Sequence, residues 1–171
     1  MVKLEREHRS RRGRERRLRG GERSPMERPV KPIPPLPPPP VVLPPTDPAI
    51  WTDPPELLEC RAAFNRGDYR ACVEPIEHLF FARRNTFHQG LLQYVVALLQ
   101  LRLGLVRTPR SLLTQALTLW QPYREWQEGV ELSALREHAI RLLDRLPEGL
   151  HSVSEAEVER LWIAPPQLRP G

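Results

Sequence analysis

The stretch Phe64–Phe81, FNRGDYRACVEPIEHLFF, carries the residues most able to do chemistry: Glu74, Glu77 and the neighbouring His78. Carboxylates at i and i+3 on a helix share one side of it and can hold a cation between them, or serve as acid and base. On the next helical stretch Gln89, Gln93 and Gln100 recur at i, i+4 and i+11, which is again one face. A carboxylate opposite an amide stripe makes either a hydrogen-bonded polar seam that fixes helix register or a ligand site. The candidate cluster is therefore Glu74, Glu77, Gln89 and Gln93.

A helical wheel sorts these side chains. With Val73 at the origin, Tyr69, Cys72, Ile76, Leu79 and Phe80 fall within an arc of about 100°, the buried face. Glu77 lies about 40° from the origin, Glu74 about 100° and His78 about 140°. Glu77 is thus expected in an inter-helix crevice, Glu74 on its rim and His78 in water. His138 and His151 are read as surface residues, and His88 sits about 100° around the helix from Gln89, so no histidine is expected in the crevice. A transition-metal or catalytic centre gathers three or more ligands, and only two carboxylates are in place. The seam is the favoured reading, and no metal or cofactor is expected. The alternative is a metal- or ligand-dependent enzyme with Glu77 as ligand or general base. No phosphate-binding glycine loop, H-E-x-x-H or G-x-S-x-G motif is present.

The elements that would position this cluster are all helical. Asp53 is expected to cap a first helix with Pro54 and Pro55 in its first turn, and Asn65-Arg66-Gly67 to end it. Asp68 caps the second helix, which Pro75 should bend by removing the bond to the Ala71 carbonyl. The third, from about Thr86 to Leu103, is apolar nearly all round and should be the most buried. Gly90 within it costs ~1 kcal/mol relative to alanine, tolerable if a neighbouring backbone packs close there. Thr108-Pro109 should open a fourth helix and Pro122 should end it. Leu132, Leu135, Ala139, Leu142, Leu143 and Leu146 stripe a fifth. Ser154 with Glu157 forms a capping box for a short sixth. No strand alternation is found. The expected fold is an all-α bundle of about five to six helices over residues 53–164.

The N-terminal third is of another kind. Of 21 prolines, 14 lie between Ser24 and Glu56. Residues 1–31 hold 12 Lys+Arg against 5 Asp+Glu, whereas the remaining 140 hold 14 against 16. The basic balance of the chain thus belongs to a tail, and the helical part is not built as a nucleic-acid surface. Residues 1–24 are expected to be disordered, and residues 25–52 to form a proline-rich linker in extended polyproline form. Met26 offers an alternative start that would omit the arginine-rich segment. Arg9–Arg23, interrupted by Glu15 and Glu22 and without aromatics, is suited at most to non-specific contact with polyanions. A proline run stands where a secretory signal needs an apolar core. Within Thr86–Leu105 the apolar run Leu91–Leu101 is too short for a span of ~20 residues. Cys60 and Cys72 lack metal or redox spacing and read as reduced apolar fillers. A cytoplasmic protein is expected.

The spaced motifs F-N-x-G-x-Y, x-E-x-x-E-x-x-F and F-x-Q-G-L-L-Q, with a later amphipathic helix near Pro122-Tyr123, resemble the domain of unknown function 309 family. Its members are small, all-helical and mostly bacterial. The resemblance covers about residues 56–124 and is weaker beyond. It places the family's glutamates on Glu74 and Glu77 and its glutamines on Gln89 and Gln93. Asn65, Gly67 and Tyr69 match the opening of the helical hairpin. Val73 stands where the family carries a histidine and Phe80 where it carries a tryptophan. What the resemblance implies is a fold rather than an activity.

These readings converge on a non-enzymatic helical module that works through protein contacts. Trp120, Trp126 and Trp162 are candidate exposed anchors, since interfaces favour Trp alongside Tyr and Arg. The competing reading of each is ordinary core packing.

Overall fold

The computed structural model describes residues 41–44 and 51–169. The expected basic tail and most of the proline-rich linker lie outside these residues. Among the described residues six helices pack together: α1 (Pro55–Asn65), α2 (Tyr69–Arg83), α3 (Thr86–Arg102), α4 (Arg107–Trp120), α5 (Leu132–Arg145) and α6 (Glu155–Leu161). The first five pack in chain order, α1 on α2, α2 on α3, α3 on α4 and α4 on α5. Among the described residues no helix is long and apolar enough to cross a membrane.

α3 is the buried element that its all-round apolarity predicts. Phe87, Leu91, Tyr94, Val95, Leu98 and Leu101 are each at most 2% exposed. Tyr94 sits among Phe64, Trp120 and His138, with ring centroids 5.7–6.2 Å apart. Gly90 is the close-approach point, although a side chain and not a backbone comes near. The Trp120 indole lies where a Cβ would stand, and its Nε1–H donates to the Phe87 carbonyl at 3.2 Å. Trp120 is fully buried and is therefore no surface anchor.

Helix ends follow the sequence in part. Asp68 caps α2 by accepting from Ala71 N, and Ser154 caps α6 by accepting from Glu157 N. Gly67, at φ +79°, supplies the left-handed link between α1 and α2. α2 runs unbroken through Pro75. Two expected caps are displaced. Pro54, not Asp53, occupies the cap position of α1, because Asp53 is drawn into an ion pair with Arg61. α4 begins at Arg107 rather than after Thr108. The reason is that Val106, pinned through its N–H to the His151 carbonyl, already presents its own carbonyl to Arg110 N. Pro109 still falls in the first turn, where a missing N–H costs nothing.

The all-helical expectation needs one amendment. Between α4 and α5, β1 (Trp126–Gln127) pairs antiparallel with β2 (Val130–Glu131), Trp126 opposite Glu131 and Gln127 opposite Val130. The connecting Glu128-Gly129 has positive φ at both residues, +48° and +66°, as a tight two-residue hairpin turn requires.

Arginines lock the bundle's ends. Arg136 of α5 donates to the carbonyls of Trp120, Tyr123 and Arg124, satisfying the end of α4. In return Arg110 of α4 donates to Leu143 and Leu146 O at the end of α5. The packed chain also extends past residue 164. Leu168 is buried, and Asn65 both donates to its carbonyl and accepts from its N–H.

Candidate functional site

The four residues of the expected cluster do not assemble through hydrogen bonds. Glu74 is exposed and Glu77 half-buried, as the wheel requires, and neither has a hydrogen-bond or ion-pair partner among the described residues. Gln93 turns to α4 and donates from Nε2 to Gln115 Oε1 at 3.1 Å. The Oε1 atoms of Gln89, Gln93 and Gln100 are shielded from solvent and have no hydrogen-bond partner among the described residues. His78 is exposed. Among the described residues no group of three His, Cys, Asp or Glu side chains is placed to hold a metal ion.

The polar centre of the molecule lies elsewhere, where α1, the start of α3 and the hairpin meet. Asn85 and His88, both fully buried, hold one another: Asn85 Oδ1 accepts from His88 N, and Asn85 Nδ2 lies 2.8 Å from His88 Nδ1. With its oxygen committed to the helix cap, Asn85 must donate to Nδ1, so the ring proton sits on Nε2. That nitrogen is 2.8 Å from Glu128 Oε2. Arg83 reaches both Glu128 oxygens at 3.2 Å.

Beside this group, Arg61 is 4% exposed and pairs with Asp53, Nε to Oδ2 at 2.9 Å and NH2 to Oδ1 at 3.0 Å. It also donates to the Gly129 carbonyl at 2.9 Å and to the Arg169 carbonyl. One buried guanidinium thus ties α1 to the hairpin and the C-terminal strand of chain. Glu128 lies between helical patterns, where no periodicity marks it as buried, and His88 was set aside by its angle from Gln89. The usable signal was Glu-Gly between Trp126-Gln127 and Val130, a turn pattern weaker than Asn-Gly or Asp-Gly.

His138, expected at the surface, is buried. Its Nδ1 accepts from the Tyr94 hydroxyl at 2.7 Å, and its Nε2–H donates to the Ile163 carbonyl at 2.9 Å. Desolvation lowers the imidazole's pKa, and the bond to Ile163 offsets part of that shift. Burial likewise holds the Tyr94 hydroxyl well above its ordinary range. Cys60 and Cys72 are free and fully buried. The hydrogen bond to Cys72 first, and burial second, push the Cys60 thiol far up, so it offers no thiolate.

These buried groups pin elements together. Among the described residues two depressions flank Trp162, just after α6. On one side Arg141, Asp144, Arg145 and Ile163 line a shallow depression of about 450 Å³ with Trp162. On the other Asn65, Arg66, Tyr69, Arg102 and Pro165 line a second, of about 280 Å³. The half-buried indole packs on Tyr69, ring centroids 5.8 Å apart, and the Arg102 guanidinium lies over its ring at 3.8 Å. Arg102 also pairs with the exposed Glu159 at 2.9 Å.

Fold and site together define an all-α helical protein with a buried charge cluster and a Trp/Arg surface. Comparison with protein-family models, with curated proteins and with solved structures returned no match.

Proposed function

We propose that this chain is a non-catalytic helical module that binds a partner protein through the face centred on Trp162. The observation that carries the reading is the Trp162 ring, held between two depressions with arginines on either side. Trp, Tyr and Arg dominate interface energetics, because each buries a large area from a side chain already held in place. Trp162 is steadied by Tyr69 and Arg102, so little rotamer entropy is lost on binding. Arg66, Arg102, Arg141 and Arg145 favour a partner segment that joins Asp or Glu to a large apolar side chain. The Arg102–Glu159 pair is exposed, and such pairs are worth only ~0–1 kcal/mol, so an incoming carboxylate can displace Glu159. The resemblance to the domain of unknown function 309 family and a cytoplasmic setting belong to the same proposal, and rest on the residues quoted for them.

The test uses a fluorescein-labelled acidic peptide containing phenylalanine, with a lysine peptide of the same length as control. Anisotropy is expected to show binding of the acidic peptide that weakens with salt and falls at least tenfold in Arg141→Glu/Arg145→Glu. Equal binding of both peptides, or no effect of the charge reversal, refutes the reading.

A further inference from the structure

The short stretch Val41–Pro44 does not behave as a spacer. It lies extended across the α2–α3 junction and the hairpin, held by alternate backbone groups. Val41 N–H donates to Arg84 O at 2.7 Å, and the Val41 carbonyl accepts from Thr86 N at 3.0 Å, a parallel bridge about Asn85. Leu43 N–H donates to the Tyr123 hydroxyl at 3.1 Å, and the Pro44 carbonyl accepts from Gln127 Nε2 at 3.1 Å. The side chains of Val41 and Val42 remain largely in solvent, at 61% and 49% exposure, while Leu43 packs on the core. The seat grips a backbone and one leucine.

The groups that do the gripping belong to the rigid fold. Asn85, Tyr123 and Gln127 are each at most 6% exposed. The Tyr123 hydroxyl is fixed by Thr86 Oγ1 at 2.8 Å. The proline pattern of the segment fits this seat in one register. Proline has no N–H, so between Pro32 and Pro45 only Ile33, Leu36, Val41, Val42 and Leu43 can donate. Of these, only Val41 and Leu43 offer two N–H groups two residues apart, which is the spacing the seat requires.

We infer that this seat is a reader of extended peptides, a second binding surface independent of the Trp162 face. Its ligand pattern is a residue with a free N–H, any residue, leucine, then proline. The chain's own Val41–Pro44 is its resident occupant. Recognition is by strand addition, in which main-chain bonds give affinity and the leucine gives specificity. A partner peptide of the same pattern competes with a resident segment whose effective concentration is in the millimolar range. The groove is therefore closed to weak ligands until the resident is displaced.

The experiment uses the full chain and a labelled synthetic peptide with the sequence of residues 39–46. Leu43→Asp, which releases the resident leucine, is expected to bind the peptide at least tenfold more tightly than the wild type does. Adding Tyr123→Phe removes the acceptor for the leucine N–H and should weaken binding again. A peptide with proline in place of Val41 should lose at least tenfold. A natively folded Leu43→Asp variant that ignores the peptide, or takes the proline version equally well, overturns the inference. If Leu43→Asp does not fold, hydrogen exchange on the wild type decides instead. Excess peptide should then speed exchange of the Val41 and Leu43 amides, and unchanged protection is the negative result. A wild-type dimer that Leu43→Asp abolishes would put the segment of a second copy in the seat and overturn the intramolecular assignment.

Discussion

Gly90→Ala sets two magnitudes of opposite sign against each other. In an isolated helix the change stabilises by ~1 kcal/mol, because alanine loses less backbone entropy than glycine. In this protein the new Cβ would lie 2.7 Å from Trp120 Cδ1 and 2.9 Å from Cε2, and closer still to Nε1. Comfortable carbon contacts need about 3.5–4.0 Å, so the indole must retreat by roughly 1 Å. It has nowhere to go: Trp120 is fully buried, packs on Tyr94 and is anchored to the Phe87 carbonyl. Overpacking costs ~1–3 kcal/mol. Weakening the indole hydrogen bond costs ~1 kcal/mol more. The expected net loss is about 1–3 kcal/mol, a fall in Tm of roughly 4–15 °C. Thermal melts by circular dichroism read it directly. Gly67→Ala is the comparison, because its Cβ meets nothing within 4 Å and only the strain of φ +79° remains. Gly90→Ala/Trp120→Phe should be more stable than the sum of the two single changes predicts, since the smaller ring vacates the space. A Gly90→Ala protein that melts higher than wild type, or a double mutant with no coupling, refutes the reasoning.

Three further outcomes are expected. Glu128→Gly relieves a left-handed residue worth ~1 kcal/mol but removes the carboxylate that faces the buried His88 ring and the part-exposed Arg83, a loss of about 1–3 kcal/mol. The variant should unfold at lower denaturant, and an unchanged or higher midpoint would contradict a structural role for the cluster. His138 binds protons less readily in the fold than in the unfolded chain, so its contribution is fully present above pH ~6.5 and is lost as pH falls below that value. Melts from pH 7.5 to 5 should show this slope diminished in His138→Gln, and identical slopes would discount the assignment. Glu74→Gln and Glu77→Gln should change stability by less than ~0.5 kcal/mol, since neither carboxylate has a partner among the described residues. Calorimetric titration with Mg²⁺, Mn²⁺ or Zn²⁺ tests the enzyme alternative, and heat that depends on these two residues would revive it.

The bundle was legible because helix signals are local. Asp68, Ser154, Gly67 and the periodic leucines of α5 act through neighbours three or four residues away, and each holds in the structure. The wheel likewise placed Glu77 at the edge of α2 and His78 in water, because burial of a helix face follows from periodicity. What periodicity cannot give is which distant group a polar side chain meets. Asp53 was read as a cap, since its nearest neighbours form a helix start, yet Arg61 and Trp51 take its carboxylate. Gln93 was read toward α2 and bonds to α4. His138 looked like a surface residue because its partners, Tyr94 and Ile163, are 25 or more residues away.

By itself, then, the sequence determined the order of the helices and the central place of α3. These depend on short-range propensity, capping and the period of apolar residues. Only the tertiary structure decided that Trp120 fills the notch left by Gly90 and that Glu128 is buried against His88 and Arg83. It also decided that Trp162 stands between two arginine-lined depressions and that Val41–Pro44 is held by Tyr123 and Gln127. Each of these joins residues far apart in the chain, where the energy of burying a charge or satisfying a backbone donor outweighs local preference.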